Sequence, residues 1–109
     1  MKAMRILIDL LKKPDINEGL DRFHSESGAI LLDVRTKEEF ENGHIPGAVN
    51  IPLDQITKAK ERIQNPKTPV FVYCLRGARS RKATASLKQM GYENAISIGG
   101  INRYKGKCV

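Results

Sequence analysis

The chain has 109 residues, of which 40% are hydrophobic and 28% charged, a composition typical of one folded domain with its own core. No apolar run approaches the roughly eighteen residues of a membrane-spanning helix. The net charge of +7 is uneven, because residues 1–56 hold seven basic and ten acidic residues whereas residues 57–109 hold twelve basic and two acidic ones. An anionic partner of the second half is therefore expected. The sequence has no motif or interleaved aromatic residues to indicate nucleic acid.

The amino terminus contains a short apolar run, Ile6–Leu11, whose periodicity fits an edge strand or a helical turn equally well. Asp9 interrupts this run, and no small-residue cleavage site follows it. We therefore expect a cytoplasmic protein without membrane association.

A helix is predicted after a break at Pro14–Asp15, because Ile16, Leu20 and Phe23 share one helical face. His24 follows at the end of this pattern. We interpret it as a solvent-facing residue of the last turn.

The run Ala29–Leu32 predicts a strand that is buried on both faces, as in a parallel sheet. After it, Thr36 is predicted to cap a short helix, Lys37–Asn42, which has carboxylates in its first turn. Asp33 and Arg35 lie between the two elements. We interpret them as a salt-bridged pair that holds loops at the carboxyl edge of the sheet, and Asp33 is not assigned as a general base.

The next segment, Gly43–Ala48, is a glycine- and proline-rich turn that leads into a predicted strand, Val49–Ile51. Within the turn, His44 is a residue type often used in acid–base catalysis, but a positioning role is favoured over proton transfer. Pro52 suits the first position of a helix. The partial apolar face of that helix extends from Leu53 to Ile63.

A cysteine occupies the predicted junction of a strand and a helix. The strand-forming residues Val70–Tyr73 precede Cys74, and a loop, Leu75–Arg79, leads into a helical pattern that extends to Met90. Loop amides and a helix N-terminus both favour negative charge. Such surroundings lower a cysteine pKa from about 8.5 to about 3.5–7.5. The junction thus favours a thiolate.

The alternative interpretation of Cys74 is a buried structural cysteine that closes a core strand. Gly77 favours the interpretation of Cys74 as a nucleophile, because a glycine allows the tight turn that points several amides at the sulfur. The local charge favours the same interpretation, since five basic residues and no acidic one lie between Leu75 and Tyr92: Arg76, Arg79, Arg81, Lys82 and Lys88.

The carboxyl-terminal part is predicted to contain a helix C-cap at Gly91, a strand at Ala95–Ile98 and a turn at Gly99–Gly100. Beyond Gly106 we expect a frayed tail that contains Cys108. The two cysteines have neither C-x-x-C spacing nor nearby metal-ligand partners, so a zinc site is not supported. Their separation leaves a disulfide open.

The alternation of strands and helices predicts an α/β fold with a central parallel sheet of about four to five strands and helices on both faces. Ligands of such sheets bind at the carboxyl ends of the strands. Asp33 and Cys74 both lie at such ends, so we expect segments about forty residues apart to meet in one site.

Three blocks of the sequence, in matching order and spacing, resemble the rhodanese family of sulfurtransferases. They are the loop Cys74–Ser80, which is similar to the C-x-x-G-x-R-S active-site loop; Leu32–Arg35 with Glu38–Phe40, Gly43–Ala48 and Asn50–Pro52; and Gly99–Gly100 followed by Tyr104, where the family often has tryptophan.

The resemblance implies a single rhodanese-like domain over residues 1–109 and a thiosulfate sulfurtransferase without cofactor or metal. Cys74 would carry sulfur as a persulfide, and Asp33, Arg35 and His44 would shape the site. The implied substrate-binding residues are Leu75, Arg76, Gly77, Ala78 and Arg79. The implied partners are a small anionic sulfur donor and a thiol or protein thiol acceptor, and a monomer is expected.

Two other classes of function remain open. Cysteine phosphatases and arsenate reductases have an active-site loop similar to C-x5-R. Here the arginine is the fifth residue after Cys74, and the sixth is Ser80. A loop one residue shorter suits a sulfur atom better than a phosphate group. The other class is a non-catalytic rhodanese-type module for partner binding, or a sulfur-relay module. The retention of Cys74, Gly77 and Arg79 is evidence against a non-catalytic module.

Overall fold

The computed structural model describes residues 13–109, so the run Ile6–Leu11 lies outside the described residues. Helices and strands alternate, as predicted. The elements are α1 (Ile16–Ser25), β1 (Ile30–Asp33), α2 (Lys37–Glu41), β2 (Val49–Asn50), a 3-10 helix (Leu53–Lys58), α3 (Ala59–Arg62), β3 (Val70–Cys74), α4 (Ala78–Gln89), β4 (Ala95–Gly100) and a second 3-10 helix (Ile101–Arg103). Within residues 13–109, no helix is long and apolar enough to cross a membrane.

The four strands found in residues 13–109 form one parallel sheet in the order β2-β1-β3-β4. β1 and β3 are central neighbours, and Asp33 is the register partner of Tyr73. The segments that end in Asp33 and Cys74 therefore reach the same edge of the sheet. This arrangement confirms the predicted α/β class.

The central strand β3 is buried along its whole length, and its side chains alternate between two cores. Val72 and Cys74 belong to a core that contains residues of α3 and α4, including Leu87. Phe71 and Tyr73 belong to the core formed with α1. Helices therefore cover both faces of the sheet, as predicted, and Cys74 faces the α4 side.

Helix α4 ends as its sequence predicts. The amide of Gly91 donates to the carbonyl of Lys88, and the amide of Tyr92 donates to the carbonyl of Leu87, both at 3.0 Å. Gly91 has a φ of 104°, which a glycine adopts at little cost. The pair of bonds satisfies carbonyls that the helix end would otherwise leave free.

The predicted turn at Gly99–Gly100 is wrong, because both glycines belong to β4. They pair with Tyr73 and Cys74, after a register shift that lies between Val72 and Tyr73. Gly99 absorbs the irregularity with a φ of 103°. Adjacent glycines typically mark a turn, but here they extend the strand to the level of Cys74.

The helix predicted to begin at Pro52 also differs from the structure. Pro52 precedes a 3-10 helix, and the α-helical turn begins only at Ala59. Gln55 leaves the helical region with a φ of −117°, which prevents a continuous α-helix. Ile56 and Ile63 are nevertheless buried in the core.

The carboxyl-terminal tail is not frayed, so this prediction is wrong as well. The amide of His44 donates to the carbonyl of Val109 at 3.0 Å, and the amide of Val109 donates to the carbonyl of His44 at 2.9 Å. Cys108 is exposed beside this pair, and both cysteines are free thiols. Backbone pairing of this kind depends on a distant loop and has no local sequence signal.

The contact between α1 and β4 generates a test of the fold. A Cβ atom placed on Gly19 would lie 2.5 Å from the Cβ of Ile98. Replacement of a helical glycine by alanine normally stabilises a protein by about 0.5–1 kcal/mol. We expect Gly19→Ala instead to lower the free energy of unfolding by about 1–3 kcal/mol, because α1 must move off the sheet.

Urea denaturation measures this change. The control is Asp21→Ala on an exposed position of α1, which should change the free energy of unfolding by less than about 0.5 kcal/mol. A Gly19→Ala variant as stable as the wild type would contradict the close packing.

Candidate active site

The thiol of Cys74 lies at the carboxyl end of β3 and is almost fully buried, with 1% of the residue exposed. Two backbone amides point at its sulfur. The Gly77 amide lies 3.0 Å from Sγ, and the Ser80 amide lies 3.3 Å from it. The sulfur is thus placed among donors that stabilise negative charge.

The segment between β3 and α4 consists of Leu75, Arg76 and Gly77, and we call it the Cys74 loop. Gly77 has a φ of 111°, in the left-handed region that glycine tolerates. This conformation reverses the chain so that α4 starts directly at Ala78. Ala78 and Arg79, predicted as loop residues, therefore lie in the first turn of α4.

A hydroxyl pair that the sequence analysis did not identify supports the Cys74 loop. The Ser80 hydroxyl is buried and donates to the carbonyl of Gly77 at 2.9 Å. It also lies 2.7 Å from the hydroxyl of Ser97 in β4. Ser80 had a signal, since it ends the matching loop motif. Ser97 had none, because its role depends on the position of β4.

The end of β4 and the second 3-10 helix pack against the backbone of the Cys74 loop. A Cβ atom placed on Gly100 would lie 2.6 Å from the Cα of Arg76, so the backbones approach closely because residue 100 has no side chain. The amide of Asn102 donates to the carbonyl of Leu75 at 3.1 Å. These contacts give the Gly99–Gly100 block of the sequence a physical role.

The balance of burial and hydrogen bonding favours the ionised thiol. Burial by itself disfavours the charge on Cys74, but hydrogen bonds from Ser80, Gly77 and Arg76 outweigh it, and the pKa of the thiol is lowered. The thiolate predicted from the strand-helix junction therefore has a geometric basis in the amides of the Cys74 loop and α4.

Arg79 forms an ion pair with Glu39, which the sequence pattern placed only in the first turn of a helix. Its guanidinium forms two hydrogen bonds to Glu39, at 2.6 and 3.1 Å. Glu39 also completes the capping box of α2 with Thr36. The bond from Arg79 lowers the pKa of Glu39 to about 2. This ion pair joins α2 to α4, which come from different halves of the chain.

Asp33 and Arg35 form the buried ion pair that their spacing predicts. The Arg35 Nη2 atom lies 2.7 Å from the Asp33 carboxylate and 2.8 Å from the carbonyl oxygen of Gly43. Because Asp33 is the register partner of Tyr73, its side chain lies on the face of the sheet opposite to that of Cys74. The pair therefore fixes the β1–α2 and turn backbones and does not face the sulfur.

His44 is engaged in structural contacts. Its ring stacks on Phe40 with the centroids 3.7 Å apart, and its Nδ1 atom lies 2.9 Å from the Phe40 carbonyl oxygen. Its backbone pairs with Val109. These contacts agree with a positioning role within the turn rather than with proton transfer.

Leu75 and Arg76 form the exposed part of the Cys74 loop. Arg76 makes no ion pair with any of residues 13–109. Among the arginines of the loop motif, Arg76 is exposed and has no carboxylate partner in the described part of the chain, whereas Arg79 is paired with Glu39.

This fold and this cysteine loop define a class of protein. The model of the rhodanese-like domain family matches residues 15–107. The chain belongs to the rhodanese-like domain family, and the resemblance found in the sequence is confirmed.

Individual relatives agree with this assignment. The chain is 42% identical over 86 residues to the adenylyltransferase and sulfurtransferase UBA4 of Meyerozyma guilliermondii. This match covers 72% of the chain and 20% of UBA4. The structure of an Escherichia coli rhodanese with anions superposes with a TM-score of 0.69 at 30% identity. The superposition covers 74% of this chain and 96% of the Escherichia coli chain. The human single-domain sulfurtransferase TSTD1 has a TM-score of 0.71 at 25% identity, over 85% and 96% of the two chains. The chain spans between 20% and 63% of three curated relatives.

The amide contacts at Cys74 predict how its ionisation depends on pH. In a Cys108→Ser variant, Cys74 is the remaining thiol, and its thiolate absorbance in the ultraviolet reports its charge. Because the folded pKa is lowered, the thiolate should appear at a lower pH than the ordinary midpoint of about 8.5. The reactive form is then retained as the pH falls below that midpoint.

The same variant in denaturant provides the control, because unfolding removes the Gly77 and Ser80 amides from the sulfur. Its midpoint should return to about 8.5. A folded midpoint at or above the unfolded one would mean that burial outweighs the hydrogen bonds.

Proposed function

We propose that this protein transfers sulfane sulfur from thiosulfate, or a related anionic donor, to cyanide or a thiol acceptor through a persulfide on Cys74. The observation that carries the proposal is the pair of amides, Gly77 and Ser80, within hydrogen-bond distance of a buried sulfur. Membership of the rhodanese-like family supports it. No metal or organic cofactor takes part in the proposed reaction.

The first step is a displacement at sulfur. The Cys74 thiolate attacks the outer sulfur of thiosulfate, a sulfur–sulfur bond forms to Cys74, and the original one breaks with its electron pair leaving on sulfite. Arg76, exposed at the Cys74 loop, attracts the dianionic donor. The amides that face Sγ stabilise the negative charge that the terminal sulfur of the persulfide carries.

The second step regenerates the enzyme. A nucleophile attacks the terminal sulfur, and the electron pair of the broken bond returns to Cys74. With cyanide the product is thiocyanate, and with a thiol it is a new persulfide on the acceptor. Arg79 acts indirectly in this proposal, because its bonds to Glu39 fix the first turn of α4 and hence the Ser80 amide. The cytoplasmic location, the monomeric state and the single domain stay predictions.

The cysteine itself provides the direct test. Cys74→Ser should lower sulfur transfer from thiosulfate to cyanide by about a thousandfold or more, because a serine hydroxyl stays un-ionised at neutral pH and cannot hold sulfane sulfur. Mass spectrometry of the wild type after incubation with thiosulfate should show one added sulfur on Cys74. Circular dichroism checks that the variant is folded.

The matched control is Cys108→Ser, which removes the exposed thiol and should retain turnover within about twofold of the wild type. A parallel assay with an aryl phosphate separates the phosphatase alternative. Rapid phosphate release by a wild-type protein that never acquires sulfur on Cys74 would overturn the proposal and leave a shared fold alone.

A further inference from the structure

A basic groove lies beside the Cys74 loop. It encloses about 610 Å³, and its floor includes the backbone of Gly99 and Gly100. Among residues 13–109, four cationic side chains line it: Lys13, Arg76, Arg81 and Arg103. We call this set the basic groove.

The cations of the basic groove are not neutralised by the part of the protein that the structure describes. No Asp or Glu within residues 13–109 lines the groove. None of its four cations makes an ion pair with a residue of that range. Elsewhere in the same range, Arg35 and Arg79 are both bonded to carboxylates. Like charges gathered in a concave surface repel one another, and an anionic ligand would relieve that repulsion.

The groove is built against the Cys74 loop. Arg76 and Gly77 line the groove and also belong to that loop. The Nη1 atom of Arg81 would lie 3.3 Å from a Cβ placed on Gly77, so this guanidinium packs directly beside the glycine. A ligand in the groove therefore contacts the segment that positions the amides around Cys74.

The chemistry of the lining indicates the class of ligand. Guanidinium groups bind phosphate oxygens in a bidentate geometry, and four cations match more negative charge than one phosphate carries. Glycine backbones allow a ligand to approach closely. No aromatic side chain in the described lining could stack on a base, although stacking is the usual platform for single-stranded nucleic acid.

We propose that the basic groove binds a small ligand with two or more phosphate groups, at a site distinct from the sulfur position on Cys74. The volume suits a molecule much larger than thiosulfate. Because Arg76 contributes both to this groove and to the proposed recruitment of thiosulfate, an occupied groove should raise the KM for thiosulfate and leave kcat unchanged. That kinetic consequence rests on the proposed function, whereas the binding itself does not.

Calorimetric titration with inorganic pyrophosphate, at low and constant ionic strength, tests the binding. Arg81→Gln with Arg103→Gln should weaken it by about tenfold or more, because two of the groove's guanidinium groups are lost. The charge-matched control is Arg62→Gln with Lys82→Gln, two exposed cations outside the groove. The control should change the affinity by less than about twofold. Equal weakening by both pairs would show an effect of net charge and overturn the proposal.

Amide shifts in NMR spectra locate the probe on the wild-type protein without any substitution. Pyrophosphate should shift the amides of Gly99, Gly100 and Asn102, and the Cys74→Ser variant should bind it as tightly as the wild type does. Loss of binding in Cys74→Ser would place the anion on the Cys74 loop and contradict a separate site. A single-stranded RNA that bound more tightly, and shifted amides well beyond the groove, would overturn the small-ligand assignment.

The kinetic arm separates this inference from the proposed function. Pyrophosphate should raise the KM for thiosulfate in the wild type and in the control pair, but not in the Arg81→Gln, Arg103→Gln pair. Pyrophosphate binding in a protein that shows no sulfur transfer would contradict the proposed function and leave the groove assignment intact. Sulfur transfer by a protein that does not bind pyrophosphate would contradict the groove assignment and leave the proposed function intact.

Discussion

The structure depends on stabilising a sulfur atom that is buried at the carboxyl end of β3. A buried anion costs several kcal/mol unless hydrogen-bond donors replace the lost water. Here the donors are the amides of Gly77 and Ser80, and they reach Sγ because the chain turns through a left-handed glycine directly into α4. The short loop, the glycine and the immediate helix start are consequences of this one requirement.

The Cys74 loop does not hold this shape by itself. The amide of Asn102 donates a hydrogen bond to the Leu75 carbonyl, and the Ser97 hydroxyl is hydrogen-bonded to the Ser80 hydroxyl. Gly100 allows β4 to lie against the loop backbone. Gly100 and Asn102 reach the loop because β4 continues past its register shift to the level of Cys74, whereas Ser97 pairs with Val72 just before that shift. The irregular strand is therefore part of the device that orders the amides.

Charge is divided between structural and unpaired groups. Arg35 and Arg79 are each bonded to a carboxylate, and the second of these pairs ties α2 to α4 beside Cys74. Arg76 and Arg81 have no carboxylate partner within residues 13–109 and line the basic groove. Arg76 and Arg79, the two arginines of the loop motif, look equivalent in the sequence but have different electrostatic roles. An arginine in a motif acquires its role from the carboxylates that the fold brings to it.

The sequence by itself determined the strand-helix junction at Cys74, the need for glycine at position 77 and the parallel α/β class, because periodicity and backbone sterics act over a few residues. The Asp33–Arg35 pair was predictable for the same reason. Only the tertiary structure decided that Glu39 binds Arg79, that Ser97 supports Ser80, that Asp33 faces away from the sulfur, and that the tail pairs with His44. Each of these depends on sheet register or on segments far apart in the chain, and local preferences carry no information about which distant groups will meet.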